Sequence, residues 1–280
     1  MASPAQEHEP EHRQDHGKDR AVPLLDQDGV RLTVDDAVAT VTLTAPAKRN
    51  AQSPAMWRTL TEAGRLLPGS VRVVVLRGEG KSFSAGLDRQ MFTPEGIAGE
   101  QSFVELARSG DAELDAAIAS FQEAFTWWRQ NDIVSVAAVQ GHAIGAGFQL
   151  ALACDLRVVA DDVQFAMRET SLGLVPDLTG THPLVGLVGY ARALEICATG
   201  RFVLAEEAVS SGLANLAVPA GELDSAVQDL VAALLAAPHA AVTETKALLR
   251  GARDRDYDSQ RAAERQAQAR RLRDLAGIGD

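Results

Sequence analysis

Apolar and polar positions alternate through VRLTVDD (residues 30–36) and AVATVTLTA (residues 37–45), and the two runs meet at Asp35 and Asp36, which predicts a β-hairpin. The period then lengthens to 3.6 residues in SPAMWRTLTEAGRLL, a helix with Ser53 as its N-cap and Pro54 at its first position. VRVVVLRG (residues 71–78) is continuously apolar between turn residues, as expected for a strand buried on both faces. A long helix reaching Trp127 and Trp128, a second buried strand VSVAAVQG, a glycine turn leading into an apolar helix, and a third strand DLRVVA follow. Strand, helix, strand, helix, strand is the rhythm of an α/β protein with parallel strands. Beyond about residue 180 the pattern is almost wholly helical, broken by the strand-like run LANLAVP, and it ends in a charged helix from about Asp254 to Ala276 with no long apolar stripe. The division expected from this pattern is a polar tail over residues 1–27, an α/β core over 28–200 and a helical region over 201–280.

With 46% hydrophobic residues in 280, the chain has material for a sizeable core. A formal charge of −11 argues against nucleic acid or an anionic membrane as the main partner, and no apolar run is long enough to span a bilayer. The first 20 residues lack a signal-peptide core, so a cytoplasmic protein is expected. Cys154 and Cys197 lie in apolar helical runs and read as small hydrophobes rather than a disulfide framework. His8, His12 and His16 are spaced four apart in the polar tail, where nothing apolar would hold a helix in place, so a solvated segment is expected over a metal site.

Candidate chemistry is concentrated in two turns of small residues. GHAIGAG runs from a buried strand into a helix and leaves backbone N–H groups uncrowded at that helix's positive end; KSFSAGLDRQM is a similar turn after the preceding strand. On parallel strands of one sheet, two such turns can offer N–H groups to a single oxygen. Neither turn matches a phosphate-binding loop or a full dinucleotide fingerprint, and no cluster has metal-ligand spacing.

Four motifs in order, KRNA (48–51), FSAGLD (83–88), GHAIGAGFQLALACD (141–155) and FAMRETSLGLVPDLTGT (165–181), make the sequence resemble the crotonase, or enoyl-CoA hydratase/isomerase, family over about residues 29–250. The resemblance implies a crotonase-like ββα spiral core with parallel sheets, a helical C-terminal extension, and a homotrimer or homohexamer with C-terminal helices at subunit contacts. It implies an acyl-CoA thioester substrate, with coenzyme A as part of the substrate and no tightly bound cofactor. The N–H groups of Leu87 and Ala146 would form the oxyanion hole for the thioester enolate. The CoA moiety would lie against Lys48, Arg49, Ala51, Ala85, Gly86, Leu87 and Asp88, although Lys48 and Arg49 read equally well as solvated turn residues.

Family hydratases use two glutamates, at the positions of Gln149 and Glu169. Glu169 keeps its carboxylate, whereas an amide at 149 can hydrogen-bond and position a water or a substrate group but cannot exchange a proton. That substitution favours double-bond isomerisation by one base over hydration, with a non-catalytic acyl-CoA binder as the reading from another class. Asp177 stands where typical hydratases have glycine, and family dienoyl isomerases carry acids at all three of these places. It either raises the pKa of Glu169 by repulsion or caps the helix that follows. His142 and His182 are expected to be structural, and Arg168 to face solvent or a polar acyl group.

Overall fold

The computed structural model describes residues 23–278, so His8, His12 and His16 lie outside the described residues. In chain order the elements are β1 (Leu25–Gln27), β2 (Val30–Asp35), β3 (Val38–Leu43), α1 (Pro54–Arg65), β4 (Val73–Gly78), α2 (Phe103–Leu106) and α3 (Asp111–Thr126). They continue with β5 (Val134–Val139), β6 (His142–Ile144), α4 (Ala146–Ala153), β7 (Leu156–Ala160), β8 (Gln164–Ala166), α5 (Thr181–Val188) and α6 (Tyr190–Thr199). The chain closes with β9 (Val203–Leu204), α7 (Ala205–Ser210), β10 (Leu216–Val218), α8 (Leu223–Ala236), α9 (His239–Gly251) and α10 (Tyr257–Leu275).

The main sheet has seven strands in the order β1-β2-β3-β4-β5-β7-β10, antiparallel through β3 and parallel from there on. A three-stranded sheet, β6-β8-β9, forms a second layer beyond the C-terminal ends of the parallel strands. The expected hairpin, the buried strands and the Ser53-capped α1 are all present, the cap hydroxyl accepting from the Met56 N–H.

Alternation of side chains explains why the parallel strands read as continuous apolar runs. Val74 and Leu76 of β4 and Ala137 and Val139 of β5 face the core that α1, α3 and α4 enclose. Their neighbours Val73, Val75, Val136 and Ala138 face the other way and are covered by Leu223 and Val227 of α8. Both faces are therefore dry, and α8 completes the sheet's second side.

Two expected boundaries change. Residues 25–27 belong to the sheet rather than to a tail ending at 27, because Asp28 and Gly29 both have positive φ (49° and 77°) and close a two-residue hairpin of the primed type between β1 and β2. The chain past residue 200 also enters the core. β10 pairs parallel with β7, β9 pairs with β8, and α8 packs on the sheet.

At the opposite end of the sheet from the small layer, polar groups fasten the helices. Arg129 and Arg157 donate to the carbonyls of Ala151, Leu152, Ala153 and Cys154, which close the C-terminal end of α4. Lys246 of α9 donates to Asp155 and to the carbonyls of Gln130 and Ile133, at 2.6–2.7 Å.

Candidate active site

Both glycine turns lie beyond the C-terminal ends of β4 and β5, and the backbone joins them. The Phe83 and Ser84 N–H groups donate to the carbonyls of Gln140 and His142, and the Ile144 N–H donates back to Ser84, which draws the first turn along β6. Gly86 has φ 85° and lies so close to Ile144 that a Cβ there would overlap its carbonyl oxygen, and it would sit 3.5 Å from the Ala146 nitrogen. Only glycine permits this contact, which brings the Leu87 and Ala146 turns together.

Hydrogen bonding leaves both N–H groups free. Leu87 forms a parallel bridge with Gln52 in which its neighbours make the bonds: the Gln52 N–H donates to Gly86 O (2.7 Å) and the Asp88 N–H to Gln52 O (2.8 Å). The Leu87 N–H therefore points away from that strand segment. Ala146 is the first residue of α4, where a helix N–H has no intrahelical acceptor. Among the described residues neither N–H has a protein acceptor.

Glu169 begins a short 3-10 turn after β8, and its carboxylate lies over Gly145, with Oε1 3.3 Å from where a Cβ would stand there. The Gln149 side chain is 1% exposed, and its Nε2 donates to Glu169 Oε1 at 2.7 Å. Gln149 Oε1 accepts from the N–H groups of Leu178 (2.9 Å) and Gly180 (3.3 Å), which fixes the orientation of the amide. Among the described residues Glu169 Oε2 is buried and has no hydrogen-bond partner.

Burial pushes the Glu169 carboxyl above its ordinary pKa, the Gln149 hydrogen bond and the backbone oppose this, and the charge of Asp177 adds to it. Asp177 itself is raised by burial. It does not cap α5, whose N-cap is Gly180 without a side-chain bond. Gln122 of α3 instead donates to the Asp177 carbonyl at 2.6 Å and holds the segment in place.

The segments expected to meet CoA come together as two adjacent strands of loop. The Ala85 N–H donates to Arg49 O (2.8 Å), Ala51 and Gln52 run beside Gly86 and Leu87, and Lys48 Nζ lies 3.1 Å from Asp88 Oδ2 on the surface. His142 bonds Ser82 Oγ at 3.0 Å and His182 is exposed, while Arg168 stacks on Phe202 at 5.0 Å rather than turning toward Glu169.

Asn50, which the sequence did not single out, anchors the whole arrangement. Fully buried with φ 51°, it donates to the carbonyls of Glu79, Ser82 and Phe83 and accepts from the Ala45 N–H. Asparagine's tolerance of positive φ, in a stretch otherwise suited to exposure, was the available signal.

Chemically, backbone N–H groups without acceptors can polarise a carbonyl oxygen, and a buried carboxylate beside them can exchange a proton. The profile of the Enoyl-CoA hydratase/isomerase family matches residues 33–274, and the chain belongs to that family. It is a crotonase-fold acyl-CoA enzyme. A Thermobifida fusca YX protein solved in complex with CoA, provisionally assigned as an enoyl-CoA hydratase, is 51% identical, with a TM-score of 0.84 over 89% of this chain and 95% of that one. The same kind of protein has been solved with acetoacetyl-CoA, at 52% identity and a TM-score of 0.84 over 88% of this chain and 95% of that one. A peroxisomal Delta(3,5)-Delta(2,4)-dienoyl-CoA isomerase of Arabidopsis thaliana is 31% identical over 228 residues, covering 80% of this chain and 81% of that protein.

Proposed function

We propose that the protein shifts the double bond of an enoyl-CoA thioester from the 3- to the 2-position. Glu169 Oε2 removes a proton from C2, the N–H groups of Leu87 and Ala146 hold the enolate oxygen, and Glu169 returns the proton to C4. No atom is gained or lost. Burial of Glu169 suits both steps, since a carboxyl with a raised pKa is a stronger base when ionised and keeps the proton long enough to deliver it.

The observation that carries this reading is the locked amide of Gln149, anchored by two backbone N–H groups and donating to Glu169. It orients the base and cannot stand in for a second carboxylate. Hydration of a 2-enoyl thioester remains the second reading, favoured by the assignment given to the Thermobifida fusca protein. It would require Glu169 alone both to activate water and to supply the proton at C2.

The CoA moiety would lie along residues 48–52 and 85–88, with Lys48 free to leave its surface pair with Asp88 for a phosphate. Exposed Leu172, Val175, Tyr190 and Leu194 supply apolar surface for the trimer or hexamer that the resemblance implies.

The test is mass-resolved turnover of matched 3-enoyl- and 2-enoyl-CoA in deuterated water, with Glu169→Gln as control. Double-bond migration with deuterium incorporation and no added water is expected. Addition of one heavy water to the 2-enoyl substrate, without migration, would replace isomerisation by hydration; binding without turnover in the wild type would leave a carrier of acyl-CoA.

A further inference from the structure

Ser84 lies between the two turns, fully buried, with every hydrogen-bonding position of its hydroxyl in use. It donates to Asn50 O (2.8 Å) and accepts from Gln52 Nε2 (3.1 Å) and from the Gly86 N–H (3.2 Å). Gln52 Oε1 in turn accepts from Trp57 Nε1 at 2.7 Å. An indole N–H can only donate, so the direction of the whole chain is fixed, from Trp57 on α1 through Gln52 and Ser84 to the Asn50 carbonyl. Gln52 and Trp57 are also buried, which removes water as a competitor for any of these bonds.

Ser84 also packs against the second turn. A Cβ at Gly147 would stand 2.8 Å from Ser84 Cβ, so the first turn of α4 rests directly on this side chain. One residue therefore accepts from the N–H of Gly86, the residue immediately before Leu87, and supports Gly147, the residue immediately after Ala146. None of its contacts is with the surface that a ligand would occupy.

We infer that Ser84, oriented by Gln52 and Trp57, is a positioning residue that sets the separation of the Leu87 and Ala146 N–H groups and thereby the polarisation of the thioester carbonyl. The inference rests on the oxyanion role proposed for those two groups. In Ser84→Ala the Gly86 N–H and the Gln52 amide lose their buried partner, and the turn relaxes to find others. Donors that drift from the oxyanion's position lose stabilisation that depends on their being fixed in advance.

The experiment uses butanoyl-CoA labelled with 13C at the thioester carbon, a saturated ligand that cannot isomerise, and reads its carbonyl stretch by isotope-edited infrared spectroscopy. Wild type is expected to move the stretch to lower wavenumber on binding, Ser84→Ala to lose at least half of that shift, and Trp57→Phe to lose a smaller part. On a 3-enoyl-CoA, kcat of Ser84→Ala should fall about tenfold, with KM and the affinity for free CoA within about threefold of wild type.

A full carbonyl shift in both variants overturns the inference. So does a loss of free-CoA affinity as large as the loss of kcat, which would mean the whole site had loosened. If Ser84→Ala does not fold, Trp57→Phe decides by the same readout, and an unchanged shift there overturns the inference. Failure of the proposed reaction is separable from failure here: a wild-type carbonyl shift without isomerisation removes the reaction and leaves the role of Ser84 standing. No shift in wild type overturns both.

Discussion

Two largely buried carboxylates mark opposite ends of the parallel strands, and their surroundings differ in one respect. Asp155, beside the start of β5, accepts from the Ser135 N–H, from Ser135 Oγ and from Lys246 Nζ on a single oxygen. Glu169, beyond the other end, receives one side-chain hydrogen bond on Oε1 and leaves Oε2 bare. Burying a charged or polar group without partners costs stability. The first carboxylate fastens α9 to the sheet. The second is held by the Gln149 amide, and the proposed reaction uses it as the base. Burial alone would not have separated them; Asp155 is paired with a cation, whereas the side-chain partner of Glu169 among the described residues is a neutral amide.

That contrast can be broken first at Glu169. Glu169→Gln should lower turnover by about 10²- to 10⁴-fold with CoA affinity retained, measured by steady-state kinetics and calorimetry. At the other end, Lys246→Met strands the Asp155 charge and should cost about 3 kcal/mol in urea unfolding, with kcat of the folded protein unchanged. Loss of activity without loss of stability in that variant would contradict the division of labour between the two ends.

Gln149→Glu would set two carboxylates at the 2.7 Å now spanned by a hydrogen bond from amide to carboxylate, forcing them to share a proton. The acid limb of the pH–rate profile should then move up by about one unit or more, and addition of water to 2-enoyl-CoA should emerge. An unmoved limb would mean that Glu169 is not the group being titrated.

A smaller effect lies in the pH dependence of stability. The folded pKa of Glu169 stands above its unfolded value, so the native state holds the proton at pH values where the unfolded chain has released it. Stability must fall as pH rises through that interval, while activity, which needs the ionised base, rises. Glu169→Gln should abolish that slope and raise the melting temperature above the interval, read from thermal unfolding on either side of it. Smallest of all, Lys48→Ala should change stability by less than about 0.5 kcal/mol, since its pair with Asp88 is exposed, while weakening CoA binding in a salt-dependent way.

The parts of this site legible in the sequence are those carried by local pattern: two glycine turns, a lone amide in an apolar helix, and a glutamate in register with it. The supports were not legible because each depends on a partner far along the chain. Gln52 meets Ser84 across 32 residues, Gln122 meets the Asp177 carbonyl across 55, and Lys246 meets Asp155 across 91. β6, β8 and β9 have two or three residues each, too few for alternation to register, and they exist because the neighbouring turns must be stitched together. Asp177 shows the opposite limit: its spacing before α5 fitted a cap, yet α5 has Gly180 as its N-cap, and the charge of Asp177 instead adds to the upward push on the Glu169 carboxyl.

The arginine clamp on α4 has a consequence for how the molecule comes apart. All eight residues of that helix are buried, and the carbonyls that close its C-terminal end are held by two guanidinium groups from different elements. Such a helix has no frayed C-terminal end from which to open, so the amides hydrogen-bonded within it can exchange with solvent only when the surrounding core opens with it. The C-terminal half of the helix that begins at Ala146 is thus tied to the opening of the core, whereas the Ala146 N–H, which has no acceptor among the described residues, is not protected by that clamp.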